Sequence, residues 1–518
     1  MRFPRAGGIL LHPTSFPSPH GVGDLGPAAY DFINFLVRSK QSIWQILPLG
    51  PTGYGDSPYQ CFSAFAGNPL LISPEFLQRD GFLPSPLPLE TPSFPADKVD
   101  FGWVIDWKAR LFDLAFRRFQ DAPPPGKVAA FEDFCRQQAV WLDDFALFMA
   151  LKAQHKDIEG GVWNTWPAAI ARRQPQAMER WSAKLAGEIQ LEKFKQFLFF
   201  EQWMKLKKYA NERRIRIVGD VPIFIAFDSA DVWANPELFY LDEDGAPTVV
   251  AGVPPDYFSA TGQRWGNPLY HWKLLAKDSY AWWADRLRMT LAQVDVVRID
   301  HFRGFDAYWE IPAAEPTAVV GRWVKGPGAA FFDAMRETLG DLPIIAEDLG
   351  VITPAVQELR DQFAFPGMKI LQFAFGGERN SGFLPHNFGR NCVVYTGTHD
   401  NETTLGWYRN AGPDEQDHVR RYAGRDGSDI AWDMIRLAYA SVADTAVAPL
   451  QDLMSLGNEA RMNFPGRTGG WWTWRYRAEM LNDAMAQRLA EITDLFGRAP
   501  QPEDTNEAPR YEIDVEEA

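Results

Sequence analysis

VDVVRIDHF, residues 294–302, is the stretch whose reading decides the fold. Val294, Val296, Val297 and Ile299 make it nearly continuous in apolar residues, as expected of a strand covered on both faces. It then closes on charge, at Arg298 and Asp300. A carboxylate at the end of a buried strand is costly unless it is paired or points into a polar opening. The pattern recurs along the chain. SIWQILPLG (42–50), NPLLIS (68–73), IRIVGDVPIFI (215–225), LPIIAEDLG (342–350), MKILQFAF (368–375), NCVVYTGTHD (391–400) and TAVAPLQDLMSL (445–456) are further short apolar runs. Helical patterns lie between them, at 268–291, 328–339, 353–363 and 428–442. Strand–helix alternation predicts a parallel sheet flanked by helices. Eight candidate strands predict an α/β fold closed into a (β/α)8 TIM barrel.

The spacing of the runs is uneven. Residues 75–213 separate the second and third candidate strands and contain helical stretches such as FEDFCRQQAVWLDDFALFMALKAQH. They predict an inserted, mainly helical subdomain. A second insertion, about 226–267, is rich in Pro, Gly, Tyr and Trp and reads as loop. A last helix is expected over 474–497, completing a catalytic barrel over 1–497. Residues 498–518 are acidic and Pro-containing, which predicts a disordered tail.

Composition excludes several classes. With 52 Lys and Arg against 67 Asp and Glu, the net charge is −15. Such a chain is poorly suited to nucleic acid or anionic membranes. No apolar run reaches the ~18 residues of a membrane helix. The apolar stretch near Met1 is too short and proline-rich for a signal peptide. Cys61, Cys135 and Cys392 are odd in number and lack metal-like spacing, so a reducing, cytoplasmic setting without a disulfide framework is expected. Most of the 20 Trp read as core; the minority in Gly/Pro-rich loops suit the apolar face of a sugar.

The acids at strand ends carry the chemistry. Asp220, Asp300, Glu347 and Asp400 each follow an apolar run. Taken singly, each reads as a helix N-cap or turn residue. In a (β/α)8 barrel, however, the C-terminal strand ends share one mouth, so distant carboxylates meet there. Arg298, His301 and His399 are interleaved with them. Paired carboxylates flanking a bond are the apparatus of glycoside cleavage. Two close carboxyls do not both ionise cheaply, so their pKa values split. Arg298 and Asp300 lie on the same strand face, at i and i+2. The guanidinium favours a charged Asp300 as nucleophile and leaves Glu347 as acid/base.

VGDVPIFI, VRIDHFRG, IIAEDLG and TGTHDNETT, in that order, resemble the four conserved regions of the α-amylase clan of glycoside hydrolases and transferases. GILLHPTSFPSPHGVGDLG, GDSPYQCFSAFAGNPLLIS, GVPPDYFSATGQRWGNPLY and PGMKILQFAF resemble, more narrowly, the amylomaltase or 4-α-glucanotransferase family. The resemblance spans about residues 7 to 475. It implies a barrel without the β-sandwich that α-amylases append. It implies transfer of a segment of an α-1,4-glucan or maltooligosaccharide to another glucan or to glucose, with no cofactor and no metal. Asp300 is then the nucleophile, Glu347 the general acid/base and Asp400 the carboxylate that steadies the transition state. Arg298, His301 and His399 are their supporting donors. Ser57, Tyr59, Asp220, Asp256, Gln263, Trp265 and Asn463 are the implied substrate-binding set, with Asp220 in a binding or supporting place. Gly376-Gly377-Glu378 departs from the Asp that the family often carries after QFAF. A hydrolase of the same clan and an inactive glucan-binding protein are the alternatives.

Other signals lead nowhere. Gly21–Gly26 fits GxGxxG, but it follows a Pro-rich loop and reads as a turn on the barrel's N-terminal side. Asp242–Gly245 lacks the Gly and Glu spacing of a calcium loop. His12, His20, His155 and His418 have no partner pattern, and Cys61 has no visible base.

Overall fold

A computed structural model describes residues 3–158, 161–255, 259–377, 380–467, 469–501, 511 and 513. Its centre is a sheet of eight parallel strands: β1 (Ala6–Leu10), β2 (Ile43–Gln45), β3 (Arg216–Pro222), β4 (Val296–Asp300), β5 (Ile344–Ala346), β6 (Gly367–Ile370), β7 (Cys392–Tyr395) and β8 (Thr445–Pro449). The spatial order is β6-β7-β8-β1-β2-β3-β4-β5. The ends meet where Ala346 donates its N–H to the Pro366 carbonyl at 2.9 Å. Helices cover the outside, and the fold is the expected (β/α)8 barrel.

Seven of the eight apolar runs contain a strand; NPLLIS does not. Pro69–Leu71 forms a 3-10 turn, with the Asn68 side chain accepting from Leu70 N at 3.0 Å. Asn as a cap and Pro at the first position outweigh the apolar composition. The missing strand is β1, AGGIL, whose two glycines dilute the apolar signal. Tight packing demands them: a Cβ on Gly7 would lie 2.7 Å from Gln41 Oε1, and one on Gly8 would lie 2.6 Å from Ile43 Cβ. With β1 in place, Gly21–Gly26 falls between β1 and the helix Pro27–Arg38. It is a βα connection at the C-terminal mouth, not a turn on the N-terminal side.

Between β2 and β3 run helices Phe101–Asp121, Lys127–Gln137, Ala139–Gln154, Pro175–Lys184 and Ala186–Glu212. The last packs back on the barrel, where Trp203 Nε1 donates to the Gln293 carbonyl at 3.0 Å. The stretch 226–267 is more than loop. Its strands Val249–Val253 and Gln263–Pro268 join Ala307–Pro312 and Arg322–Lys325 in a four-stranded antiparallel sheet. Gly252, Gly262 and Gly266 mask the strand pattern there.

The tail boundary also moves. Arg498 is fully buried. Its guanidinium donates to six carbonyl oxygens, at Ala6, Ala438, Tyr439, Ser441, Ala443 and Asp444. Ile513 is buried as well. Most of 502–518 lies outside the described residues. Among the described residues, no helix is long and apolar enough to cross a membrane.

Candidate active site

Strand register builds the site. Asp220 on β3 stands opposite Arg298 on β4, and Arg298 stands opposite Ile345 on β5. Two positions on, Asp300 therefore comes level with Glu347. Arg298 Nη1 donates to Asp220 Oδ1 at 2.7 Å and Oδ2 at 2.6 Å. Its Nη2 reaches Asp300 Oδ1 at 2.9 Å. Burial works against this guanidinium's charge, but Asp220 and Asp300 outweigh it and raise the pKa well above the usual arginine value. The Asp220 carboxylate has no exposed surface, so it anchors Arg298 rather than facing ligand. Asp300 keeps about a third of its side chain open, at 31%.

Glu347 is held by backbone. Its Oε2 accepts from His301 N at 2.8 Å and its Oε1 from Leu349 N at 2.9 Å. His301 makes this possible through a positive φ of 55°. The left-handed residue ends β4 and starts the 3-10 helix Phe302–Phe305, turning its N–H toward β5. Burial pushes the Glu347 carboxyl up, and the charge of Asp300 adds to the rise; Arg298 and the two N–H groups pull the other way. Asp300 is also raised by burial, with Arg298 opposing first. The charge of Asp300 thus acts on Glu347, while Asp220 and Asp400 add to the rise of Asp300.

The third carboxylate comes from β7. Asp400 is 44% exposed. Its Oδ1 accepts from Asn463 Nδ2 at 2.6 Å, and its carbonyl accepts from Arg461 Nη2 at 2.8 Å. Asn463 thus holds Asp400. His399 Nε2 lies 3.4 Å from the same Oδ1. It also lies 2.8 Å from the Tyr59 hydroxyl, which donates to Asp220 Oδ2 at 2.8 Å. Tyr59 stacks on His399 with ring centroids 5.3 Å apart. Ser57 supports the turn beneath it, accepting from Tyr59 N at 3.2 Å. One connected network therefore runs Asp300–Arg298–Asp220–Tyr59–His399–Asp400, and Glu347 is held beside it through the backbone of His301, the residue after Asp300.

The antiparallel sheet overhangs this network. Trp265 meets the His301 ring edge-on at 4.8 Å, and its Nε1 donates to Gln263 Oε1 at 3.1 Å. Burial pushes the His301 imidazole down to about 3, so it is neutral. Asp256 and Glu378 lie outside the described residues. Two neighbours were not singled out from sequence. Trp472 packs on both Tyr59 and His399, at 5.9 and 6.0 Å; an aromatic in the Gly-rich GRTGGWW loop was its signal. His12 left none, because the strand that delivers it was unseen. Among the described residues, no group of three or more His, Cys, Asp or Glu could hold a metal ion.

Residues 11–482 match the family model described as 4-alpha-glucanotransferase (glycoside hydrolase 77). The chain belongs to this family. It is 52% identical over 508 residues to a 4-alpha-glucanotransferase of Thermus thermophilus, covering 96% of this chain and all of the relative. Against the 4-alpha-glucanotransferase of Synechocystis sp. it is 51% identical, covering 95% and 98%. Amylomaltase from Streptococcus agalactiae, solved in complex with acarbose, superposes with a TM-score of 0.92 at 39% identity, over 96% of this chain and 100% of that one. Amylomaltase from Corynebacterium glutamicum, at 19% identity and a TM-score of 0.74, shares the fold over 94% of this chain and 75% of its own.

Proposed function

We propose that this family member is a 4-α-glucanotransferase that moves a segment of an α-1,4-glucan to the 4-hydroxyl of another glucan or of glucose. The carrying observation is the unequal treatment of two carboxylates in one cleft. Asp300 is bound to a guanidinium that stays charged, while Glu347 sits where burial and Asp300 favour its neutral form. A nucleophile needs the first environment and a general acid the second.

Asp300 attacks the anomeric carbon as Glu347 protonates the departing glycosidic oxygen. The bond to the leaving glucan breaks and a covalent glucosyl–enzyme forms with inversion. Glu347, now a carboxylate, takes the proton of an incoming 4-hydroxyl. That oxygen displaces Asp300 with a second inversion, so configuration is retained and the acid is regenerated. Asp400, fixed by Asn463, binds ring hydroxyls beside the reacting carbon. The sheet carrying Gln263 and Trp265 covers the acceptor side and disfavours water. No step needs a cofactor. The three cysteines are free, in keeping with work in a reducing cytoplasm.

Incubation with maltotriose tests the reading. Glucose together with oligosaccharides longer than maltotriose is the expected product pattern. Shortened sugars alone would assign the protein to hydrolysis, and no turnover would leave only glucan binding.

A further inference from the structure

A small pocket of about 30 Å³ lies beside the ends of β1, β7 and β8, lined by His12, His399, Thr403 and Gln451 among others. Both histidines are more than nine-tenths buried, at 5% and 6% exposure. Each has a buried Nδ1 with no hydrogen-bond partner among the described residues. Leu10, Leu11, Leu47, Pro449 and Met462 make much of the lining apolar, but the space is large enough for one or two waters, and the His12 and His399 rings with Asn401 and Gln451 offer the polar partners a water needs; a buried ring nitrogen left unpaired is costly.

Proton counting fixes what His399 needs. Both Asp220 oxygens accept from Arg298, so the Tyr59 hydroxyl spends its single proton on Asp220. The Tyr59 oxygen then accepts, and His399 Nε2, 2.8 Å away, must be the donor. With the proton on Nε2, the Nε2–H tautomer of His399 carries a lone pair on Nδ1, which needs a donor from the cavity. His12 is the imidazole available there, and burial pushes its pKa down to about 3.

We propose that His12 is a positioning residue of the active site: through water held in this cavity it donates to His399 Nδ1 and fixes His399 as the Nε2–H tautomer. His399 then donates toward Tyr59 and Asp400. In the opposite tautomer, a lone pair on Nε2 would face the Tyr59 oxygen and the Asp400 carboxylate, and the network would repel itself. The catalytic consequence rests on the transferase reading, but the tautomer does not.

The test is ring-nitrogen NMR of the full chain labelled with 15N-histidine, at neutral pH, with the His399 signals assigned by their loss in His399→Gln. The parent should show a protonated Nε2 and an unprotonated Nδ1. A protonated Nδ1 in the parent, as the other tautomer or as imidazolium, overturns the proposal without any variant of His12. His12→Leu should leave mixed tautomers and lower kcat on maltotriose about tenfold with KM little changed, the scale of one buried hydrogen bond. His12→Asn, which keeps a donor near the Nδ1 position, should restore both. Unchanged His399 shifts in His12→Leu would refute the coupling. Loss of activity with unchanged shifts would assign His12 a structural role instead. Failure of transfer in the parent would sink the function proposed above and leave the NMR result standing.

Discussion

Two buried arginines sit at opposite ends of the same barrel and are treated in opposite ways. Arg298, at the C-terminal mouth, is paired with carboxylates, and its pKa is driven up. Arg498, at the starts of β1 and β8, donates to carbonyl oxygens, and burial takes its pKa down to about 10. Carbonyls satisfy a guanidinium's five donors without adding a group that titrates. Carboxylates bring charges that interact, and those interactions separate Asp300 from Glu347. The lower end of the barrel uses its arginine to close the fold. The mouth uses its arginine to set protonation states, at a cost in stability that the packed remainder supports.

The contrast can be broken most forcefully at Asp300. Asp300→Asn should cut kcat/KM for transfer by ~10⁴-fold or more while the protein stays folded. A variant that turned over like the parent would remove the mouth's claim to chemistry. The same change should lower the Glu347 pKa, because it deletes the adjacent negative charge, and a titration by infrared carboxyl absorption reads that shift. Next in size, Glu347→Gln should lose ~10²–10⁴-fold in rate, and least with a substrate whose leaving group needs no proton.

Arg498→Met should act on the other axis. It removes one donor from each of six carbonyls, of which those of Ala438, Tyr439, Ser441, Ala443 and Asp444 keep another, and should cost on the order of 3 kcal/mol in denaturant unfolding. The kcat of the folded fraction should be unchanged. A drop in kcat at full folding would show that the two ends are not separable. The last test is again at Glu347. Its folded pKa is raised, so the stability owed to its neutral form is complete below the unfolded value of ~4.3 and is lost as pH rises through the folded pKa. Glu347→Gln, neutral throughout, should match the parent near pH 4. It should gain on the parent as pH rises through the folded pKa. A parent that is the more stable at pH 9 would mean that the two backbone bonds to Glu347 outweigh its burial.

Much of this was legible in the chain. The acids at the ends of continuous apolar runs named Asp300, Glu347 and Asp400, because a carboxylate there has few reasons to exist outside a polar mouth. The pairing of Arg298 with Asp300 followed from strand alternation. β1 was not legible, since Gly7 and Gly8 carry no apolar side chain to count, and NPLLIS imitated a strand until its Asn-Pro start took effect. The antiparallel sheet around Val249–Val253 was hidden by glycines in the same way.

The sequence by itself determined which side chains could do chemistry and which of them share a strand face. Only the tertiary structure decided their company. Asp220 became the anchor of Arg298 and Tyr59, Asn463 the holder of Asp400, and His12 the neighbour of His399. The physical reason is that residue order fixes local periodicity, whereas barrel register and closure bring together groups hundreds of residues apart. Burial, hydrogen-bond count and neighbouring charge then set what each group can donate, accept or ionise.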